Sequence, residues 1–393
     1  MQILKKRTAW LIIVPFFFLL LALLILGLRL PDESYGEAEG RKLAQRPALS
    51  LAMTDFASFS QRWDDYTADQ FPFRAGLLRQ HSAIQKALGK MFARDVYILD
   101  DGWMLSPIYR SDPQQLAAYT DALRKAKTSV GAPIVSCVLP EKNDVLHDLA
   151  PKYYDNTFNE QNLVLMLDAL DAAKIPAIDV GKVFRELPLA ERKDCYYKTD
   201  FHWNHRGAYL AAEDICRSLS ELGYLDSKDL PDANAFLWKE LGAEHRYQGD
   251  LNRRFSDVYP MQEQIPFYEI EHKEDLRYYD KDGSVSREDL VGSGLQETVL
   301  DYNGLSTYNL GFWRVENPEL PEGKNVLILK DSFQNACSDY LTAAFASMTV
   351  VDPRYADAFP DLQTLIRQSR ADLILLMYHQ DNLSPELIDF LNR

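Results

Sequence analysis

An unbroken apolar run from about Thr8 to Leu28 opens the chain, and every later apolar stretch is short and punctuated. A run of roughly 20 residues is long enough to cross a bilayer as a helix. Lys5, Lys6 and Arg7 precede it, which predicts a cytoplasmic N-terminus. Pro15 lies inside, where a membrane helix tolerates it. A cleaved signal peptide usually has a shorter apolar core and a small-residue cleavage site. Here the run ends Gly27-Leu28-Arg29-Leu30-Pro31, so an uncleaved anchor is expected over residues 1–31. On either reading the rest of the chain lies outside the cytoplasm.

After the anchor the pattern changes twice. Residues 32–94 carry apolar positions at helical spacing, as in Leu77 to Phe92, and predict a membrane-proximal helical region. From residue 95 short apolar runs alternate with helical ones. Val96–Leu99, Pro133–Leu139, Pro176–Val180, Asn325–Leu329, Met348–Val351 and Leu373–Met377 read as strands. Pro113–Lys127, Asn159–Ala173, Gly207–Leu222, Gln334–Phe345, Pro360–Gln368 and Pro385–Asn392 read as helices. Such alternation predicts an α/β fold, a parallel sheet with helices on both faces. Strands apolar throughout fit burial on both sides. The alternation stops near residue 225 and resumes near 323. The polar, aromatic, turn-rich stretch between is expected to be a partly β insertion in a domain running over 95–393.

Charge narrows the partners. The chain has 58 acidic and 43 basic residues, a net charge of −15. Four basic residues and no acidic ones precede Pro31, which leaves −19 for the exported part. That argues against nucleic acid and anionic polymers. A neutral glycan or a small acyl donor fits better, although a soluble acidic surface needs no such partner. Cys137, Cys195, Cys216 and Cys337 are too few for a disulfide scaffold and are expected to be buried thiols. Their spacing suggests no zinc site, and no metal or cofactor is expected.

Two segments carry chemistry. Tyr196-Tyr197-Lys198-Thr199-Asp200-Phe201-His202-Trp203 sets a carboxylate two residues before a histidine. In Lys330-Asp331-Ser332-Phe333 a serine follows a buried strand directly. Beyond the carboxyl ends of parallel strands is where α/β sheets place their ligands. Ser332 is thus expected to be the nucleophile, His202 its base and Asp200 the group that orients the imidazole. The backbone N–H groups of the following helix are expected to face an oxyanion. The alternatives are plain ones: Asp331 or Ser332 caps that helix, and Asp200 caps the helix after Trp203. His202 and His205 with Asp200 would also supply three ligands to a metal. Arg354, Tyr378 and His379 follow strands that end at the same edge. Arg354 is a candidate for substrate oxygens or an ion pair, Tyr378 for an oxyanion donor or a packed ring. Trp203 would stack on a sugar or fill the core. Asn335, with Gln334, would orient substrate or cap a helix. Lys142 and Asn143, just past Leu139, are similar edge residues.

Together these segments resemble a family. Tyr-Tyr-x-Thr-Asp-x-His-Trp-x-x-x-Gly-Ala-Tyr at 196–209 and Lys-Asp-Ser-Phe at 330–333 are similar to the DHHW proteins and the related alginate O-acetyltransferases of the AlgJ/AlgX type. Weaker likenesses are Asp69–Arg74, Asp101–Met104, Leu139–Lys142 and Val351–Tyr355. Phe201 stands where the family name has its first His, which leaves His202 as the functional one. The resemblance implies an SGNH-hydrolase-like fold, circularly permuted, with an Asp200–His202–Ser332 triad and with Arg354 and Tyr378 on the substrate side. It implies acetyl transfer to a cell-surface or exported polysaccharide, and a multi-span membrane acyltransferase that delivers the acyl group. A carbohydrate esterase, and a non-catalytic glycan-binding or assembly protein on the same fold, are the alternatives.

Overall fold

The computed structural model describes residues 2–36, 39, 41–152, 154, 157–242, 244–291, 297–306, 310–355, 361–380 and 383–393. They form two compact units. One comprises residues 1–90 with 252–259, and the other residues 91–251 with 260–393.

The first unit is helical. Helix α1 (Gln2–Arg29) contains the apolar stretch Trp10–Arg29, of mean hydropathy 3.1 and with none of it buried. Three shorter helices follow: α2 (Leu49–Thr54), α3 (Phe56–Asp69) and α4 (Arg74–Ala87). Asp55 starts α3 by accepting a hydrogen bond from the Ser58 N–H, as an N-cap does. Phe59, Trp63 and Tyr66 stack along α3 at helical spacing.

The second unit is a layered α/β structure. The strands of its main sheet are β1 (Ile134–Leu139), β2 (Ala177–Asp179), β3 (Arg277–Tyr279), β4 (Ser284–Val285), β5 (Phe312–Glu316), β6 (Asn325–Lys330), β7 (Ser347–Val351) and β8 (Leu373–His379). They lie in the order β4-β3-β5-β7-β6-β8-β1-β2. The five strands from β7 to β2 are parallel, and β5, β3 and β4 extend the β7 edge antiparallel. The sheet is therefore mixed. All three added strands come from the stretch that sequence reads as an insertion.

Alternate residues of the central strands feed two cores. Val326, Ile328, Leu375 and Met377 face α5 (His205–Glu221) and α6 (Ser338–Ala344). Leu327, Leu329, Ile374 and Leu376 face four helices, over Pro113–Ser129, Thr157–Ala173, Leu362–Ser369 and Pro385–Asn392. The third of these agrees with the helix predicted over 360–368, whose first residue lies outside the described ones. The helix predicted over 334–345 is different: Ser332–Cys337 is a 3-10 turn and only Ser338–Ala344 is α-helical. The four cysteines are free and buried, as expected.

Candidate active site

The strand β6 ends at Lys330, and the backbone then turns sharply. Asp331 stays extended and accepts the Phe333 N–H at 2.9 Å. Its other oxygen accepts the His379 N–H at 2.8 Å and meets His379 Nδ1 at 2.7 Å. Asp331, not Ser332, caps the turn, so the Ser332 hydroxyl is available to point elsewhere. It meets His202 Nε2 at 2.8 Å.

His202 sits on a loop held from several sides. Tyr196 and Trp203 form a bridge across it, and the Asn204 side chain caps α5 by accepting the Arg206 and Gly207 N–H groups. Gly207 is required there, because a Cβ would come within 2.4 Å of the Cys195 carbonyl oxygen. Asp200 Oδ1 meets His202 Nδ1 at 2.8 Å and accepts the His202 N–H at 3.0 Å. Oδ2 accepts the Tyr247 hydroxyl at 3.0 Å and the Asp250 N–H at 3.1 Å. The close approach of that second segment depends on Gly249, whose Cβ would lie 2.2 Å from the Thr199 carbonyl oxygen. The His202 ring is sandwiched between Tyr302 (3.9 Å between centroids, 3° between planes) and Phe201 (4.0 Å). Asp200 is 0% exposed and His202 3%, while Ser332 is partly exposed. Carboxylate, imidazole and hydroxyl form one hydrogen-bonded line from the core to the surface of the second unit.

Residues 97–299, just over half of the chain, match the family described as "SGNH hydrolase-like domain, acetyltransferase AlgX". The chain belongs to this family. No curated protein matches it. Among solved structures it is similar to Bacillus cereus PatB1, at 21% identity and a TM-score of 0.66 over 75% of this chain and 99% of that one. A DHHW family protein from Eubacterium siraeum is similar at 18% identity and a TM-score of 0.56, over 75% and 93% of the two chains. These likenesses concern the fold. The family match stops before Ser332, so the geometry above is what links the serine to the rest.

Burial by itself raises the Asp200 pKa, but the His202 ring and the hydrogen bonds from His202 and Asp250 outweigh it and hold the carboxyl at about 2. A carboxyl depressed below its unfolded value of about 3.9 stabilises the fold above that pH, and the contribution fades as pH falls through about 2. Wild type is therefore expected to lose about 2 kcal/mol relative to Asp200→Asn between pH 5 and pH 2. Unfolding curves at the two pH values measure it; an unchanged difference would contradict the charged, hydrogen-bonded carboxylate.

Beneath the loop of this SGNH-like site lies Lys142, 1% exposed. Its Nζ donates to the carbonyl oxygens of Met104 (2.8 Å), Lys198 (2.9 Å) and Asp200 (2.8 Å). Burial pushes its pKa down to about 7, and the Glu263 and Asp200 carboxylates oppose that shift. Glu263 holds the same loop from outside, accepting from the Thr199 N–H at 3.0 Å and from the Lys198 N–H and the Thr199 hydroxyl. Its carboxyl is raised by burial. Asp331 anchors the serine side in a like manner. His379, which it holds by Nδ1, meets Glu141 through Nε2 at 3.1 Å. Asp331→Ala leaves a buried and a part-buried backbone N–H group, those of Phe333 and His379, without their acceptor, at about 1–3 kcal/mol each. A stability loss of about 3 kcal/mol is expected from urea unfolding, with Asp331→Asn recovering part of it.

The other candidate residues separate. Trp203 is 0% exposed, donates Nε1–H to the Phe333 carbonyl at 3.0 Å and stacks on Phe184. It fills the core and offers no sugar platform. Tyr378 lies on the opposite sheet face from Phe333, among apolar side chains, and its buried hydroxyl has no hydrogen-bond partner among the described residues. Arg354 forms a two-pronged pair with the buried Asp352, at 2.9 and 2.7 Å. Asn335 Oδ1 accepts Lys330 Nζ at 2.5 Å; Lys330 also lies 3.5 Å from Asp352, and burial lowers its pKa to about 8. His205 does not join His202. It opens α5, packs on Phe267 and Tyr268, and is pushed down to about 3 by burial. Among the described residues the close group of ligand-type side chains is instead Asp200, His202 and Asp250. There Asp200 already accepts four hydrogen bonds, and His202 Nε2 faces the serine.

Sequence reasoning passed over Tyr247, Asp250, Glu263 and Tyr302. All four come from the stretch taken as an insertion. A Gly-Asp pair and scattered tyrosines in an aromatic, turn-rich segment carry no distinctive signal, and only their contacts reveal them.

Proposed function

We propose that the protein is a membrane-anchored, extracytoplasmic serine O-acyltransferase that moves an acyl group, acetyl above all, onto a hydroxyl of a cell-surface or exported polysaccharide. The observation that carries this reading is the line from Asp200 through His202 to Ser332, with 2.8 Å at both links. Ser332 Oγ attacks the donor carbonyl carbon while His202 Nε2 takes its proton. The tetrahedral adduct collapses, the leaving group receives that proton, and the acyl group stays on Ser332. An acceptor hydroxyl then gives its proton to the same Nε2 and attacks the acyl carbon; as the bond to Oγ breaks, Nε2 returns that proton to Oγ and the serine is freed. Asp200, ionised and fixed by four donors, holds the ring in the tautomer with Nδ1 protonated and steadies its charged form.

The Phe333 N–H donates to Asp331 in the resting structure, so this N–H of the turn is not directed at an oxyanion. Arg354, at the carboxyl end of β7 and part-exposed, is the cation we assign to substrate oxygens, and Asn335 a residue that shapes that wall through Lys330. Tyr378 reaches the oxyanion only after a side-chain rearrangement. Family membership supports the acetyl group. The apolar stretch of α1, preceded by Lys5, Lys6 and Arg7, supports the anchor and the orientation. An acyl donor outside the cytoplasm has to cross the membrane, which calls for a multi-span acyltransferase partner.

One of the PatB1 structures holds a sulfonyl adduct, so a sulfonyl fluoride is a fitting probe. The detergent-solubilised protein is expected to take up one sulfonyl group on Ser332, located by peptide mass spectrometry. His202→Ala should abolish the labelling. An adduct elsewhere, or one that persists without His202, would sink the triad. With an activated acetyl ester and an oligosaccharide present, acetylated sugar supports transfer, and acetate alone identifies an esterase.

A further inference from the structure

The short turn between α3 and α4 reads Gln70-Phe71-Pro72-Phe73. Pro72 is buried, yet the two rings beside it are not: Phe71 is 42% exposed and Phe73 66%. Phe73 has a left-handed backbone (φ 61°), a conformation that aromatic residues adopt rarely and at a conformational cost. The turn is closed by the Arg74 N–H on the Phe71 carbonyl at 3.0 Å. A turn of this kind, in a water-facing protein, would expose two aromatic rings to no advantage.

Its position explains it. The Pro72 ring lies 3.8 Å from where a Cβ on Gly27 would be, so it packs against α1 at a residue without a side chain. Gln70 ties the same turn to the segment that leaves α1, because its side-chain amide donates to the Glu33 carbonyl and its Oε1 accepts the Glu33 N–H, both at 2.9 Å. Tyr66, one helical turn earlier, donates its hydroxyl to Asp32 at 2.8 Å. Gly27 is two residues before Arg29, about 3 Å along a helix axis. Arg29, Asp32 and Glu33 mark the polar side, and Leu28 and the residues before it the apolar one. The turn is thus held at the level where hydrocarbon gives way to headgroups.

We infer that Phe71 and Phe73 insert into the outer-leaflet interface of the bilayer that α1 spans, with Leu77 on the next turn of α4 beside them. The inference rests on the anchor reading given above. Aromatic side chains concentrate at that depth in membrane proteins, and shallow burial of an apolar edge adds to the hold of an anchor. The lipid-facing surface of α1 is continuous with the turn through Pro72, so the occupant is the same membrane. The turn makes a second contact with the bilayer besides α1 and sets the first unit at a fixed height on it.

The four native cysteines are buried, so a cysteine placed on the surface can be labelled selectively. Full-length Phe73→Cys, Leu77→Cys, Leu19→Cys and Asp121→Cys are each labelled with an environment-sensitive fluorophore and reconstituted into phosphatidylcholine vesicles. At Phe73→Cys we expect blue-shifted emission, quenching by lipids that carry a nitroxide near the headgroup, and iodide quenching several-fold weaker than at Asp121→Cys. Leu77→Cys should follow it. Iodide access equal to that of Asp121→Cys, with Leu19→Cys still quenched by deep nitroxides, overturns this inference and leaves the anchor in place. Shielding from iodide without lipid quenching overturns it too, because protein would then cover the turn. A Leu19→Cys label that stays in water overturns the anchor as well.

Discussion

Ser332→Ala is expected to lower kcat/KM for acyl transfer by about 10⁴-fold or more, some 5 kcal/mol of transition-state stabilisation. The change removes a hydroxyl and a single hydrogen bond, that to His202 Nε2 at 2.8 Å. The serine is partly exposed and fills no core space, so stability should barely move. This makes it a cleaner variant than His202→Ala, which also empties the slot between Tyr302 and Phe201. His202→Ala should be about as inactive, because the members of a triad act as one unit. Asp200→Asn should cost less, about 10²–10⁴-fold, since the amide still fills the site but stabilises the imidazolium poorly. An activated acetyl ester with an oligosaccharide acceptor gives the rates. More than about a tenth of wild-type activity left in Ser332→Ala would end the nucleophile assignment.

Lys142→Met is expected to destabilise the second unit by about 3–5 kcal/mol, although Lys142 touches neither Ser332 nor the His202 ring in any contact described. Methionine matches the stem in volume but has no donor. It leaves the carbonyls of Met104, Lys198 and Asp200 in a buried site without their common partner. A buried acceptor left unmatched costs about 1–3 kcal/mol, and two are stranded at once, those of Met104 and Asp200, because the Lys198 carbonyl still accepts the Met104 N–H at 2.9 Å. The argument holds whether the amine is charged or neutral, because the donors are what the carbonyls lose. Glu263 and Asp200 would also lose the opposing charge that faces them. Two of the three carbonyls belong to the 198–202 loop, so kcat should fall with stability even where the protein remains folded. Urea unfolding followed by tryptophan fluorescence, with activity assayed below the transition, tests both parts. A loss under about 1 kcal/mol would show that the loop is held by other contacts.

These two residues illustrate what could be read without coordinates. Ser332, His202 and Asp200 were legible because each sits in a local pattern with a physical meaning. The serine comes two residues after a strand too apolar to lie anywhere but inside a sheet, and the carboxylate and imidazole are two residues apart on one segment. The central strands and their helices were legible for the same reason, since periodicity is a local property. Lys142 was visible only as a polar residue beyond a strand end, one of several. Trp203, a candidate sugar platform on composition, is core: the loop geometry that presents His202 turns the next side chain inward.

The chain alone determined the α/β frame, the apolar N-terminal helix and the segments that bear Ser332, His202 and Asp200, because burial periodicity and strand-end chemistry depend on neighbours in sequence. Tertiary structure decided how the acid is charged and how the imidazole is held. Tyr247 and Asp250 reach Asp200, and Tyr302 covers His202, from 47 to 100 positions further along the chain. Folding also brought the strands of that same stretch onto the edge of the main sheet, which no local pattern foretold. Contacts between residues so far apart in sequence leave no periodic trace, because they depend on where the backbone returns and not on which residues adjoin.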